Sequence, residues 1–163
     1  AASVEGFTPL IAAASEGHDD IVTMLLATGR IKLNAVDKDG TNAIMNASVR
    51  GHVKVVKALI AAGSDLNMKN VDGHTALMFA YNGKNQVQTL MDKYSDYMKN
   101  ADDDSTKLMT DALQTHLDVI AALKGGGADP KLKDNEGHTV ADFDYKPPEA
   151  APGGITPGPA SEL

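Results

Sequence analysis

The chain contains no cysteine and no tryptophan, and it has only three phenylalanines and four tyrosines. Without cysteine, disulfides and thiolate metal sites are excluded. With so few aromatic rings, the core must be aliphatic, built from leucine, isoleucine, valine, alanine and methionine. Apolar runs are short as well, and none approaches the roughly 18 residues that a membrane-spanning helix requires. We therefore expect a protein without direct membrane insertion.

Basic residues are in the minority, with 15 lysines and arginines against 22 aspartates and glutamates, a formal net charge of -7. Nucleic acids and anionic membranes bind clustered positive charge, so neither is expected as a partner. The same balance predicts a protein partner with a neutral or basic contact surface. The sequence starts "AASVEG" without methionine, which fits processing or an incomplete sequence. We expect a soluble intracellular protein, cytoplasmic or organellar after loss of a targeting peptide.

What the chain does have is internal repetition. Similar segments start at Gly6, Gly40 and Gly73, which are 34 and then 33 residues apart. A further match runs from Thr115, and within it Gly137 corresponds to Gly73. These two glycines are 64 residues apart, which is one 33-residue repeat plus an insert of 31. A truncated fourth copy, "GHTVADFD", follows, so the sequence predicts about three and a half stacked repeats.

Each repeat has the signals of two short helices. Thr8 can cap a helix N-terminus, Pro9 fits the first helical turn, and Gly17 can end the helix with a positive φ. A second helix follows with an apolar stripe, and such a stripe is covered only when neighbouring repeats stack. The predicted stripe consists of Ile21, Val22, Leu25 and Leu26 in the first repeat and of Val53, Val56, Leu59 and Ile60 in the second.

The motifs "TPLIAAASEGH", "IVTMLLATG" and "GHVKVVKALIAAGSDLN" resemble those of the ankyrin repeat. The resemblance covers about residues 4–82 and 115–143. It implies an all-α solenoid of stacked helix-turn-helix units with short β-hairpin loops. The predicted domain spans residues 1–145, with repeats near 6–39, 40–72 and 73–136 and a partial repeat at 137–145. In the second repeat Asn42 and Ala43 replace the threonine and proline of the motif, which puts the regularity of the binding groove in doubt.

The insert, about residues 84–114, has helical periodicity and predicts an extended antiparallel hairpin. Ser105, after the acidic run Asp102 to Asp104, fits a helix N-cap, and the second arm should continue into the repeat's second helix. The apolar side chains of the insert can pair the two arms or form a contact surface. Its first arm carries Val87, Leu90, Met91, Tyr94 and Met98, and its second carries Leu108 and Met109. Residues 146–163 form a tail rich in proline and glycine.

Catalytic and metal-binding patterns are weak. His18, His52 and His116 occupy one repeat position and His74 and His138 another, which indicates structural roles. The acidic run lacks the glycine and glutamate of a calcium loop. The glycines at 125–127 follow a helix and no phosphate-binding lysine comes after them, so they should end that helix. No nucleophile motif is present. We expect no enzyme activity, no metal and no cofactor.

The resemblance implies that partner proteins bind at the loop tips and on the exposed side of the first helices. The corresponding tip residues are Glu5, Phe7, Lys38, Asp39, Thr41, Val71, Asp72, His74, Asn135, Glu136 and His138. On the first helices they are Ile11, Met45, Asn46, Met78 and Phe79. Phe7 and Phe79 are the expected anchors, since aromatic residues dominate binding energy. Alternatively, Phe79 fills space left by the incomplete fourth repeat.

Two functions remain open. The first is a non-enzymatic scaffold or adaptor that binds one or more proteins through the tips and the concave helix face. The second is an accessory structural subunit of a larger multi-protein assembly, for which an organelle is one option, that docks through the helical insert and the tail.

Overall fold

A computed structural model describes residues 6–98 and 103–144, and the chain forms seven helices in these ranges. Two pairs of short helices come first, and two long helices with a very short helix between them follow. The helices are α1 (Pro9–Glu16), α2 (Asp19–Ala27), α3 (Ala43–Val49), α4 (Val53–Ala61), α5 (Ala76–Lys93), α6 (Ser95–Met98) and α7 (Asp103–Gly125). The all-α architecture predicted from the repeats is confirmed.

The helix ends follow the predicted signals. The Thr8 hydroxyl accepts the amide of Ile11 at 3.2 Å, Pro9 is the first residue of α1, and Gly17 ends the helix with φ 76°. In the second repeat, the Asn42 side-chain oxygen accepts the amide of Met45 at 3.1 Å. Asparagine is as good an N-cap as threonine, so this departure from the motif keeps the cap.

The helices stack in two layers. One layer contains α1, α3 and α5, which pack in that order, and the other contains α2, α4 and α7. The core between the layers is aliphatic, as predicted, and its buried members include Val56, Leu59, Leu77 and Leu123. The prediction for Ile21 is wrong, because its side chain is 42% exposed. Helix α2 lies at the end of the stack, where α4 covers it from one side only.

Tight loops connect one helix pair to the next. Their backbone hydrogen bonds join Asp37 to Thr41 at 3.0 Å, Asn70 to His74 at 3.0 Å and Asp134 to His138 at 2.9 Å. The first of these loops also forms an antiparallel bridge between Val36 and Asn42. The loops therefore have hairpin character, although no longer strand occurs in residues 6–98 and 103–144.

The third repeat differs from the first two because its first helix does not stop. Gly83 lies inside α5, which continues to Lys93, so the first arm predicted for the insert is an extension of the repeat's own helix. Helix α7 runs without a break into the repeat's second helix, as predicted, and packs against α5. It begins at Asp103, so Ser105 lies within its first turn and the predicted N-cap is wrong.

Residues 99–102, between α6 and α7 in the sequence, lie outside the described residues, as do the Tyr97 and Met98 side chains. An inserted helical hairpin therefore stays a prediction. Its apolar side chains are divided: Val87, Met91 and Met109 are half-buried, whereas Leu90, Tyr94 and Leu108 are exposed.

The partial fourth repeat is a series of turns that covers the end of the core. Asp142 accepts hydrogen bonds from the Thr139 amide at 2.8 Å and from its hydroxyl at 3.1 Å. Val140 is buried, and the Phe143 ring packs against the core. The predicted tail, residues 146–163, lies outside the described residues, and the boundaries of the repeats stay a prediction.

Candidate functional site

The loop tips form one continuous row, because each loop touches the next. Gly6 lies against Val36 and Asp37, Gly40 against Asn70, and Gly73 against Asn135. Glycine is needed at Gly73, where φ is 83° and an added Cβ would lie 2.6 Å from the Asn135 amide nitrogen. The row is therefore set by the stacking of the repeats.

Hydrogen bonds between neighbouring loops hold the row together. The amide of Val71 donates to the Asp39 carbonyl at 3.0 Å, and the amide of Asn135 donates to the Asp72 carbonyl at 3.1 Å. The Asn135 side chain also donates to the Val71 carbonyl at 2.8 Å. Since none of these bonds uses the Val71 side chain, which is 60% exposed, that side chain can face a partner.

One carboxyl or amide side chain organises each loop from inside. Asp37 accepts the amides of residues 39 and 41 at 3.0 and 2.9 Å, and Asn70 accepts those of residues 72 and 74 at 3.1 and 2.8 Å. Asp134 accepts the amides of residues 136 and 138, both at 2.9 Å. Burial of the Asp134 carboxyl opposes its ionisation. The amides of His138 and Glu136 and the His138 ring outweigh that effect and hold its pKa below the ordinary 3.8.

Substitution of Asp134 by asparagine should make stability less sensitive to acid. A carboxyl with a lowered pKa stabilises the fold above its unfolded pKa, and this contribution is lost as pH falls below 3.8. The variant D134N keeps the acceptor oxygen, as Asn70 does in the second loop, but it does not ionise. Urea denaturation at pH 3 and at pH 5 should show a smaller difference for the variant than for the natural chain. An unchanged difference would contradict the prediction.

Two histidines flank the Asp134 carboxylate, whose side chain is only 3% exposed. Its Oδ2 atom is 3.3 Å from Nδ1 of His138 and 3.6 Å from Nε2 of His74. The Phe143 ring meets both imidazoles edge to face. A cavity of about 390 Å³ opens here, lined by Asp72, His74, Asp134, Asn135, Glu136, His138 and Phe143. With three carboxylates in its lining, it favours positively charged groups.

The predicted site residues differ in exposure. Phe7, Lys38, Asp39, Val71, Asp72, Asn135, Glu136 and His138 are exposed, and Thr41, Asn46, His74 and Phe79 are half-buried. The Asn46 side chain donates to the Asn42 carbonyl at 3.2 Å. Phe79 packs against the core, and its ring meets the edge of His74 with 6.0 Å between centroids. Glu5 lies outside the described residues. Whether these residues bind a partner stays a prediction.

Three residues predicted to be exposed on the first helices are instead core residues. Ile11, Met45 and Met78 are almost fully buried between the two layers. The accessible positions come one residue later in each helix, at Ala12, Asn46 and Phe79, which are half-buried. The assignment was wrong by one residue, which in a helix rotates a side chain by about 100°.

A second concave region was not predicted from the sequence. It lies where α1 and α3 end beside the extension of α5, and it has a volume of about 660 Å³. Its lining consists of Ser15, Glu16, Val49, Arg50, His52, Gly83, Gln86, Val87, Leu90 and His116. The available signal was the helical spacing of Val87 and Leu90. That signal was assigned to a separate insert at about residues 84–114, whereas these residues continue α5.

Two chemical properties of the described ranges bear on function. Residues 6–98 and 103–144 contain no cluster of three or more histidine, aspartate or glutamate side chains placed to hold a metal ion. The helices within the same ranges include none with the length and apolar character needed to cross a membrane.

Stacked helix pairs that present a row of joined loops define a repeat solenoid, a class of protein that offers an extended surface to partners. The family model described as "Ankyrin repeats (3 copies)" matches residues 1–70, 27–101 and 55–134. The chain belongs to the ankyrin repeat family, whose members are generally non-enzymatic modules of protein–protein interaction.

Three curated relatives show how the chain compares. It is 34% identical over 134 residues to the Ankyrin repeat and KH domain-containing protein mask-1 of Caenorhabditis elegans, covering 80% of this chain and 5% of that protein. It is 34% identical over 90 residues to Protein HOS4 of Saccharomyces cerevisiae, covering 51% of this chain and 8% of that protein. It is 39% identical over 57 residues to Ankyrin repeat domain-containing protein 29 of Danio rerio, covering 35% of this chain and 19% of that protein. The chain thus spans at most about a fifth of the length of these relatives.

Proposed function

We propose that the chain is a non-enzymatic adaptor that binds a partner protein through its loop tips and the adjoining helix face. The observation that carries this proposal is the row of loops joined by backbone hydrogen bonds, with Val71 60% exposed at its middle. A surface that is already ordered loses little conformational entropy on binding. The residues proposed to contact the partner are the twelve tip and helix positions from Phe7 to His138 given above as exposed or half-buried.

The charge of the row indicates the kind of partner. Asp39, Asp72 and Glu136 are exposed acidic residues on successive loops, and Lys38 is the basic residue among the twelve proposed contacts. A partner with a basic or neutral surface would gain favourable electrostatics there, mainly in its rate of association. Val71 and the half-buried Phe79 offer apolar contact beside these charges.

Photo-crosslinking in the native source tests the proposal. A photoreactive phenylalanine analogue at Val71 should capture a discrete partner, whereas the same analogue at Lys57, exposed on α4, should not. Because V71D would bury an unpaired carboxylate in the middle of the interface, it should reduce capture of that partner by mild affinity purification about tenfold. Equal crosslinking at both positions, or unchanged capture by V71D, would contradict the proposal.

A second function is favoured by the long helices. Leu90 and Tyr94 are exposed on or next to α5, and Leu108 (73%) and Leu117 are exposed on α7. We propose, as the alternative, that the chain is an accessory subunit of a larger multi-protein assembly that docks through this surface and its tail. A fixed set of proteins in constant ratio, lost in the variant L108E but kept in V71D, would favour the alternative over the adaptor.

A further inference from the structure

The concave region at the ends of α1 and α3 has a floor and a wall. Glu16 is the last residue of α1, and Arg50 is the C-cap of α3. Gly83 holds the same repeat position in the third repeat, but α5 continues from there to Lys93, a further rise of about 15 Å. The helix ends therefore form the floor, and the extension of α5 forms the wall. The loop row lies at the opposite end of these first helices, so the two surfaces are separate.

Histidines already use the backbone acceptors of the floor. Nε2 of His52 lies 3.0 Å from the Ser15 carbonyl, and Nε2 of His116 lies 3.2 Å from the Val49 carbonyl. A ligand in this region would therefore be recognised by side chains and not by free helix ends. The polar side chains that line the region and are exposed are those of Glu16, Arg50 and Gln86.

The two repeats bring opposite charges to the floor. Around it, the first repeat contributes Glu16, Asp19 and Asp20, and the second repeat contributes Arg50 and Lys54. Asp19 and Lys54 pair with each other across the repeats at 3.8 Å. Glu16 and Arg50 have no ion-pair partner among residues 6–98 and 103–144. A ligand that brings a cation to the first repeat and an anion to the second would therefore have complementary charge.

The wall adds apolar contact and a side chain that can bind a peptide backbone. Leu90 is 48% exposed, and Val87 beside it is half-buried. The Gln86 carboxamide can donate and accept hydrogen bonds. An extended peptide has free backbone groups for it, whereas a helix pairs its own. Since packed helices lie about 9 Å apart, Glu16 on α1 and Arg50 on α3 are separated by about three residues of extended chain.

We propose that this concave region binds an extended segment of a partner protein with three recognised residues. A basic residue faces Glu16, an acidic residue about three positions away faces Arg50, and an apolar residue beyond the acidic one packs on Leu90. The site goes beyond the adaptor function proposed for the loop row. Crosslinking at Val71 tests that function, and its outcome does not depend on this one.

Peptide selection tests the proposal with a displayed library of random peptides of about 12 residues, long enough when extended to cross the three repeats. The full natural chain and the variant E16K/R50E serve as parallel baits. Both side chains are exposed, so neither substitution disturbs the core. The natural chain should enrich peptides with a basic, an acidic and an apolar residue in that order or its reverse. The variant should enrich peptides in which the acidic and basic residues have changed places relative to the apolar residue.

Single variants then locate the binding site of an enriched peptide. By fluorescence anisotropy, R50E should weaken binding about tenfold, because it replaces attraction by repulsion. The control R30E changes the chain's other arginine, which is exposed in the loop after α2, and should leave the affinity unchanged. The proposal would be overturned if no peptide were enriched, if both baits enriched the same pattern, or if R50E and R30E had equal effects.

Discussion

Replacing Gly83 with alanine should lower the free energy of unfolding by about 2 kcal/mol. Overpacking a close contact costs more stability than the higher helix propensity of alanine adds. Gly83 lies inside α5 where α3, α5 and α7 meet. A Cβ atom at this position would lie 2.6 Å from Nε2 of His116 and closer still to the Val49 carbonyl oxygen. Urea denaturation followed by circular dichroism of the full chain measures the change.

Gly125 provides the matched control. It is the last residue of α7, its φ is not positive, and an added Cβ would meet nothing within 4 Å. Because the helix propensity of alanine exceeds that of glycine by up to about 1 kcal/mol, G125A should be neutral or stabilising. If G83A were as stable as G125A, the close packing of the three helices would be contradicted.

Gly83 is a residue whose structural role could not be predicted from the sequence. The glycines that end helices were predictable because their role is local: Gly17 and Gly51 both have a φ of 76°. Gly83 stands at nearly the same repeat position, yet it is helical and is needed for space. That space is defined by Val49 and His116, each more than 30 residues away in the sequence. A local sequence pattern cannot predict such a contact. The concave region beside the extension of α5 was missed for the same reason.

The loop row was predictable to a larger extent. Equivalent positions in stacked repeats lie side by side, so the repeat spacing, together with the loop tips that the ankyrin resemblance implies, placed Lys38, Val71 and Asn135 on successive tips. The inner helices were harder, because the face of a short helix changes with each residue. Met45 and Asn46 were both expected to be exposed, and the structure buries the first and leaves the second accessible. Exposure there depends on how closely α1, α3 and α5 pack, which the apolar pattern of alanines and methionines does not specify.

We expect a graded series of stabilities for variants of the three histidines that share one repeat position, His18, His52 and His116. His116 is buried, and its Nδ1 and Nε2 atoms lie 2.9 Å from the Ala112 carbonyl and 3.2 Å from the Val49 carbonyl. His52 is half-buried, and its Nε2 atom lies 3.0 Å from the Ser15 carbonyl. His18 is exposed at the end of the stack. At His52 and His116 the repeat therefore uses this histidine to contact the end of the preceding repeat's first helix.

Substitution by alanine should cost about 3 kcal/mol at His116, about 1 kcal/mol at His52 and close to nothing at His18. The first value combines a cavity with an unsatisfied carbonyl at the end of α3, and the second reflects one partly exposed hydrogen bond. Urea denaturation of the three variants gives the order directly, and His18 serves as the control because it has the same repeat position. An equal loss at all three positions would show that residue type, and not contact between repeats, sets the cost.

The effects of G83A and H116A on stability should also be coupled. In G83A the new methyl group is blocked mainly by the His116 ring and the Val49 carbonyl, and removal of the ring takes away one of these obstacles. The double variant G83A/H116A should therefore be more stable than the sum of the single effects predicts, by about 1 kcal/mol. Strict additivity would mean that the Val49 carbonyl alone limits the approach of α3 and α5. Coupling would establish that His116 sets the spacing at which the third repeat packs on the second.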